Sequence, residues 1–153
     1  MDVAYDQNLI PRILLTLMTL GYGFATILAD FNKTHATNPS WTPHARFHVV
    51  WQISSYAGFG LLALALIWMP GPFYIERLYL ACIMGVIVFG AFFVAVFAIP
   101  LYGGRLYDDN GYLPFTAPLP GKPRLWDVNV TIFSVLVLVL IAGTLSIAHA
   151  SAG

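Results

Sequence analysis

Four long apolar runs leave this chain few folds to choose from. They lie at about 9–29, 43–69, 76–102 and 126–149. Each has the roughly 20 residues that a helix needs to cross the hydrocarbon core of a bilayer. In hydrocarbon every backbone N–H and C=O must be bonded internally, which a helix achieves and an open strand does not. The expected fold is therefore all-α, an integral membrane four-helix bundle forming a single domain over 1–153. Charged residues are 9% of the chain, against roughly 25% in soluble domains. No separate soluble domain fits between the runs.

The formal net charge is zero, so no basic surface argues for nucleic acid. The partners expected instead are the lipid bilayer and a small lipophilic molecule, with a homo-oligomer left open. The one cysteine, Cys82, lies in the third run and cannot form a disulfide within the chain. The first run follows Asp2 and Asp6 with no basic residue before Arg12. That flank and the length of the run point to a retained helix and not a signal peptide.

The connections differ in character. A polar stretch rich in Asn, Thr, Pro and His joins the first two runs, and Pro70-Gly71-Pro72 joins the next two. A loop over 103–125 precedes the last run; it carries Pro114, Pro118, Pro120 and Pro123 with several aromatics. Such a loop suggests an ordered cap on the membrane surface. Lys33, Arg46, Arg105, Lys122 and Arg124 fall on the side of the two long connections, and Arg12 and Arg77 on the other. The positive-inside rule then puts 30–45 and 103–125 in the cytoplasm and both termini outside it. Asn32-Lys33-Thr34 and Asn129-Val130-Thr131 match the glycosylation pattern, but on this topology they carry no weight.

The polar chemistry concentrates in 30–52, which holds three of the four histidines. Thr42 followed by Pro43 predicts a helix start: Thr caps free amides, and Pro fits the first helical position. His44, His48, Gln52 and Ser55 then share one face. Thr19, Gly23, Thr26 and Asp30 form a similar stripe on the first helix, and Asp127, Thr131 and Ser134 on the fourth. Asp127 also reads as an N-cap. Polar groups facing lipid are costly, so the three stripes are expected to face inward and meet in a polar pocket at the cytoplasmic end. Gly85 and Gly90 are expected to allow close helix packing.

Three chemistries suit this set. His35, His44 and His48 could hold a transition metal, zinc or iron, with Asp30 completing the site. Without a metal, Asp30, His35, His44 and His48 could carry acid–base catalysis, since imidazole beside a carboxylate transfers protons near neutral pH. Arg46 and Gln52 would then bind a polar end of the substrate, and Trp51 would flank its apolar part. Trp41, Trp68 and Trp126 fit the interfacial aromatic belt. In the third reading Asp30 pairs with Arg46 and the histidines only bond loop carbonyls. A bis-histidine haem within one chain is not expected, because His149 ends the fourth helix about 30 Å from His48.

The segment D-F-N-K-T-H…N-P-S-W-T-P-H-A-R-F-H-V-V-W-Q resembles the signature of a small four-span integral membrane family, a domain of unknown function. The likeness extends to chain length and helix layout and implies that fold without an activity. In size and span count the chain is also similar to DoxX-like and anthrone-oxygenase-like proteins, a likeness of fold alone. Together these readings suggest a membrane enzyme of isomerase, cyclase or oxygenase type, or else a non-catalytic subunit or small-molecule carrier.

Overall fold

The computed structural model describes residues 8–116 and 124–152. The helices are α1 (Leu9–Gly23), α2 (Ala25–Asp30), α3 (Pro43–Trp68), α4 (Tyr74–Tyr102) and α5 (Val128–Ala152). Strands β1 (Phe115–Thr116) and β2 (Leu125–Trp126) pair antiparallel at the base of the last loop. α1 and α2 together make the first span. With α3, α4 and α5 they give four helical stretches long and apolar enough to cross a membrane. The protein is an all-α four-helix bundle of membrane type.

Local chemistry sets the helix ends. The Thr42 hydroxyl accepts from Ala45 N at 3.2 Å, and Pro43 opens α3. Asp127 Oδ1 accepts from Val130 N at 3.0 Å, so its N-cap role holds. Gly103, at φ 68°, closes α4 in the left-handed conformation that glycine adopts at little cost. At the other end of α4, Arg77 bonds the Gly71 carbonyl in the turn.

Helix α1 lies at the centre, against α3, α4 and α5. Its Leu15, Met18 and Tyr22 are fully buried. Tyr22 meets Phe89 of α4 edge to face at 6.0 Å. Small residues let the helices close. A Cβ on Gly60 would sit 3.2 Å from Gly23 Cα, so α1 and α3 touch backbone to backbone there. Gly85 makes room for the Met18 side chain of α1. Gly90 does not: a Cβ there meets nothing within 4 Å. The spacing that placed both glycines on α4 does not place both against a neighbour. Beside the Gly23–Gly60 contact the first span breaks. Phe24 has φ −120° and ψ −34°, and Ile27 N bonds Phe24 O in the tight turn that opens α2.

Candidate functional site

The loop over 31–42 is built around Asn32. Its Nδ2 donates to Leu28 O and Ala29 O, closing the end of α2, while its Oδ1 accepts from Thr34 N at 2.8 Å. Partners of fixed character thus set the amide orientation. The Thr34 hydroxyl lies 2.6 Å from that same Oδ1. With one proton to give, it donates there. The hydroxyl oxygen also lies 2.7 Å from His35 Nδ1. Its proton is already committed, so it accepts, and His35 Nδ1 carries a hydrogen. Nε2 is left as the ring's free nitrogen. Asp30 Oδ1 stands 3.7 Å from Nδ1, where a carboxylate stabilises the positive charge gained when Nε2 takes a proton.

Aromatic rings hold His35 on two sides. Trp41 meets it edge to face at 5.2 Å, and Tyr112 lies tilted at 6.0 Å. Both rings are themselves tied. Trp41 Nε1 donates to Asp108 Oδ2 at 2.7 Å, and the Tyr112 hydroxyl donates to Ala29 O at 3.1 Å. Asn38, 0% exposed, exchanges amide hydrogen bonds with Asn110 at 3.2 and 2.9 Å. It also donates to Thr34 O and accepts from Ser40 N. The first and last loops therefore form one ordered cap over its described part. Pro118, Pro120 and Pro123, which also suggested a cap, lie outside the described residues.

Between these loops opens a cleft of about 350 Å³, lined by His35, Trp41, Tyr112, Arg105, Tyr107 and Asn129 among others. The Arg105 guanidinium stacks 5.7 Å above the Tyr107 ring. The Asp108 carboxylate is occupied by Trp41 Nε1 and Asp109 N. The cleft is thus lined by one imidazole, one guanidinium and aromatic side chains.

The residues expected on α3 stand elsewhere. His44 and His48 bond each other, Nε2 to Nε2 at 3.0 Å, and both are exposed. Trp51 is 60% exposed and lies against His48 at 5.9 Å. Gln52 is exposed and donates to the Tyr56 hydroxyl at 3.3 Å. The stripe shares one face as its spacing required, but that face points away from the bundle. The buried side of α3 runs through Ile53, Gly60, Ala63 and Ile67, and at about 100° per residue His44 lies opposite Ile53. Arg46 is half-buried on α3. The pair expected between Asp30 and Arg46 is replaced by the Asp30–His35 pair. Among the described residues no three His, Cys, Asp or Glu side chains come together as a group that could hold a metal ion. The expected convergence of His35, His44 and His48 on one ion is therefore not found. Their chain spacing cannot show it, since His35 sits on a loop that folds back toward α2 while the other two ride on α3.

Asn32, Thr34, Asn38, Asp108, Tyr112 and Arg105 join the site without having been singled out for it. The Asn32-Lys33-Thr34 tripeptide held part of the signal, because both polar side chains reach back to the loop. Trp41, expected in the interfacial belt, also ties the two loops through its bond to Asp108.

Residues 14–145 match a family of unknown function, DUF6640. The chain belongs to this family. The DUF6640 match takes in the cap, the cleft and most of every span. No curated protein and no solved structure matches the chain.

Proposed function

We propose that the protein is an integral membrane enzyme that moves a proton on a small lipophilic substrate, in an isomerisation or cyclisation, within the cap cleft. His35 Nε2 acts as the base and returns the proton as the acid, and Asp30 balances the imidazolium between those steps. Arg105 binds an anionic or enolising oxygen of the substrate, and Trp41 and Tyr112 flank its apolar part. One observation supports this reading above the others: His35, whose Nδ1 is bonded to the Thr34 hydroxyl and lies 3.7 Å from Asp30, lines a ligand-sized cleft. The likeness to DoxX-like proteins carries no part of it. His44 and His48, away from the inward faces of the bundle, have no role in this reaction.

The substrate need not be identified in advance for the reaction to be tested. Wild-type protein and His35→Ala, each in lipid nanodiscs, are incubated with a membrane-lipid extract, and changes are followed by mass spectrometry. A species consumed by wild type should be consumed about 10²–10⁴-fold more slowly by the variant, the range for losing a general acid–base group. The variant's unfolding temperature should stay near that of wild type. The hydrogen-bonded cap favours a second reading, in which His35 only braces the loops of a non-catalytic subunit or carrier. That reading predicts lost expression and a lowered unfolding temperature, with no species consumed by either protein.

The same proposal sets the cap in the cytoplasm and both termini outside it. Five of the seven Lys and Arg residues lie on the cap side. Of the two opposite, Arg12 is buried with its guanidinium over Trp68.

A further inference from the structure

The two histidines of α3 stand outside the cap cleft and against each other. His44 Nε2 and His48 Nε2 are 3.0 Å apart, and both residues are exposed. Among the described residues neither ring makes another hydrogen bond, so both Nδ1 atoms are open. Neighbouring rings restrict how the imidazoles turn. Phe47 stacks on His44 at 6.3 Å and meets His48 edge to face at 5.8 Å, and Trp51 lies tilted against His48 at 5.9 Å. α3 has 26 residues, and about 20 suffice to cross the hydrocarbon. Its first turn therefore stands at the membrane surface, within reach of aqueous ions.

In the bond between the rings one Nε2 carries a hydrogen and the other accepts it. Moving that hydrogen to the open Nδ1 of its own ring costs no proton and frees both Nε2 lone pairs. With metal–nitrogen bonds of about 2.05 Å, nitrogens 3.0 Å apart subtend about 94° at an ion between them. That is close to the cis angle of square-planar and octahedral sites, whereas a tetrahedral site needs about 109° and nitrogens roughly 3.3 Å apart. Imidazole suits copper and nickel, and square-planar coordination is typical of their divalent ions. The positive end of the helix opposes a cation, but only by about two- to fivefold in affinity. Among the described residues no third His, Cys, Asp or Glu joins the pair. Water then completes the coordination, and the ion stays exchangeable. We propose that His44 and His48 form a two-histidine chelate for a divalent transition metal of cis geometry, copper(II) or nickel(II), separate from the cap cleft.

Untagged protein in phosphatidylcholine nanodiscs is titrated with copper(II) alone. Competition with a chelator of known strength gives the affinity, and electron spin resonance counts the nitrogens coupled to the ion. One equivalent should bind with two imidazole nitrogens coupled. His44→Ala and His48→Ala should each weaken binding roughly tenfold or more, equivalent to about 1.4 kcal/mol or more, and leave one nitrogen coupled. Both sites are exposed, so the unfolding temperature should stay near that of wild type. His48→Ala/Val49→His keeps two histidines on α3 but turns the second about 100° further round the helix. It should bind copper no better than His48→Ala. Undiminished affinity in His48→Ala, or recovery in the double variant, would overturn the proposal and show an adventitious ion only. A single coupled nitrogen in wild type would overturn it as well. His35→Ala should leave the copper affinity unchanged whether or not His35 is catalytic, so the two proposals fail independently.

Discussion

A histidine has two nitrogens, and the partner of one decides what the other can do. In this protein that partner is the Thr34 hydroxyl, itself turned by Asn32. Thr34→Val removes the acceptor from His35 Nδ1 while keeping the side chain's shape. A hydrogen bond of this kind contributes about 1 kcal/mol, so the tautomer ratio should move about fivefold toward Nε2–H. Ring ¹⁵N chemical shifts in the folded protein report that ratio directly. An unchanged ratio would mean that Asp30 alone holds the Nδ1 proton. The pairing of His35 with Asp30 was legible in the sequence as one of several options, because both lie in the most polar segment of an apolar chain. The tautomer was not legible, since it depends on a three-atom relay whose direction only the placed amide of Asn32 fixes.

At the scale of elements, the packing of α1 on α3 rests on two glycines that face each other. Gly60 has Gly23 Cα and Phe24 Cε2 within 3.2 Å of where its Cβ would be, while Gly58 on the same helix has open space. Gly60→Leu should overpack the contact and cost about 2 kcal/mol, lowering the unfolding temperature by roughly 4–8 °C. Gly58→Leu should leave it within a degree or two of wild type. Equal effects would mean that helix propensity, and not the close approach, governs both sites. Helix starts were readable from Thr42-Pro43 and Asp127, because capping is local chemistry. The break at Phe24 was not, because it accompanies the contact with a distant helix.

For the whole molecule, the cap joins two loops far apart in the chain: Asn38 bonds Asn110, and Trp41 bonds Asp108. The protein's one cysteine, Cys82, is buried, which leaves the surface free for a single labelling site. With Asp109→Cys in the exposed turn of the cap, a membrane-impermeant maleimide should label inside-out vesicles and not intact cells. Labelling of intact cells would reverse the proposed topology and place the cleft outside.

The sequence by itself determined the four spans, the all-α bundle, the start of α3 and the common face of His44, His48 and Gln52. Each follows from hydrocarbon's demand for internal hydrogen bonding or from the helical repeat, and both act along a single stretch of chain. The tertiary structure decided that this common face points outward, that His35 and not the α3 pair lines a cleft, and that Gly90 meets open space instead of closing a contact. Periodicity says which residues share a face. Which face meets the bundle depends on the neighbours that pack there, and those neighbours come from other parts of the chain.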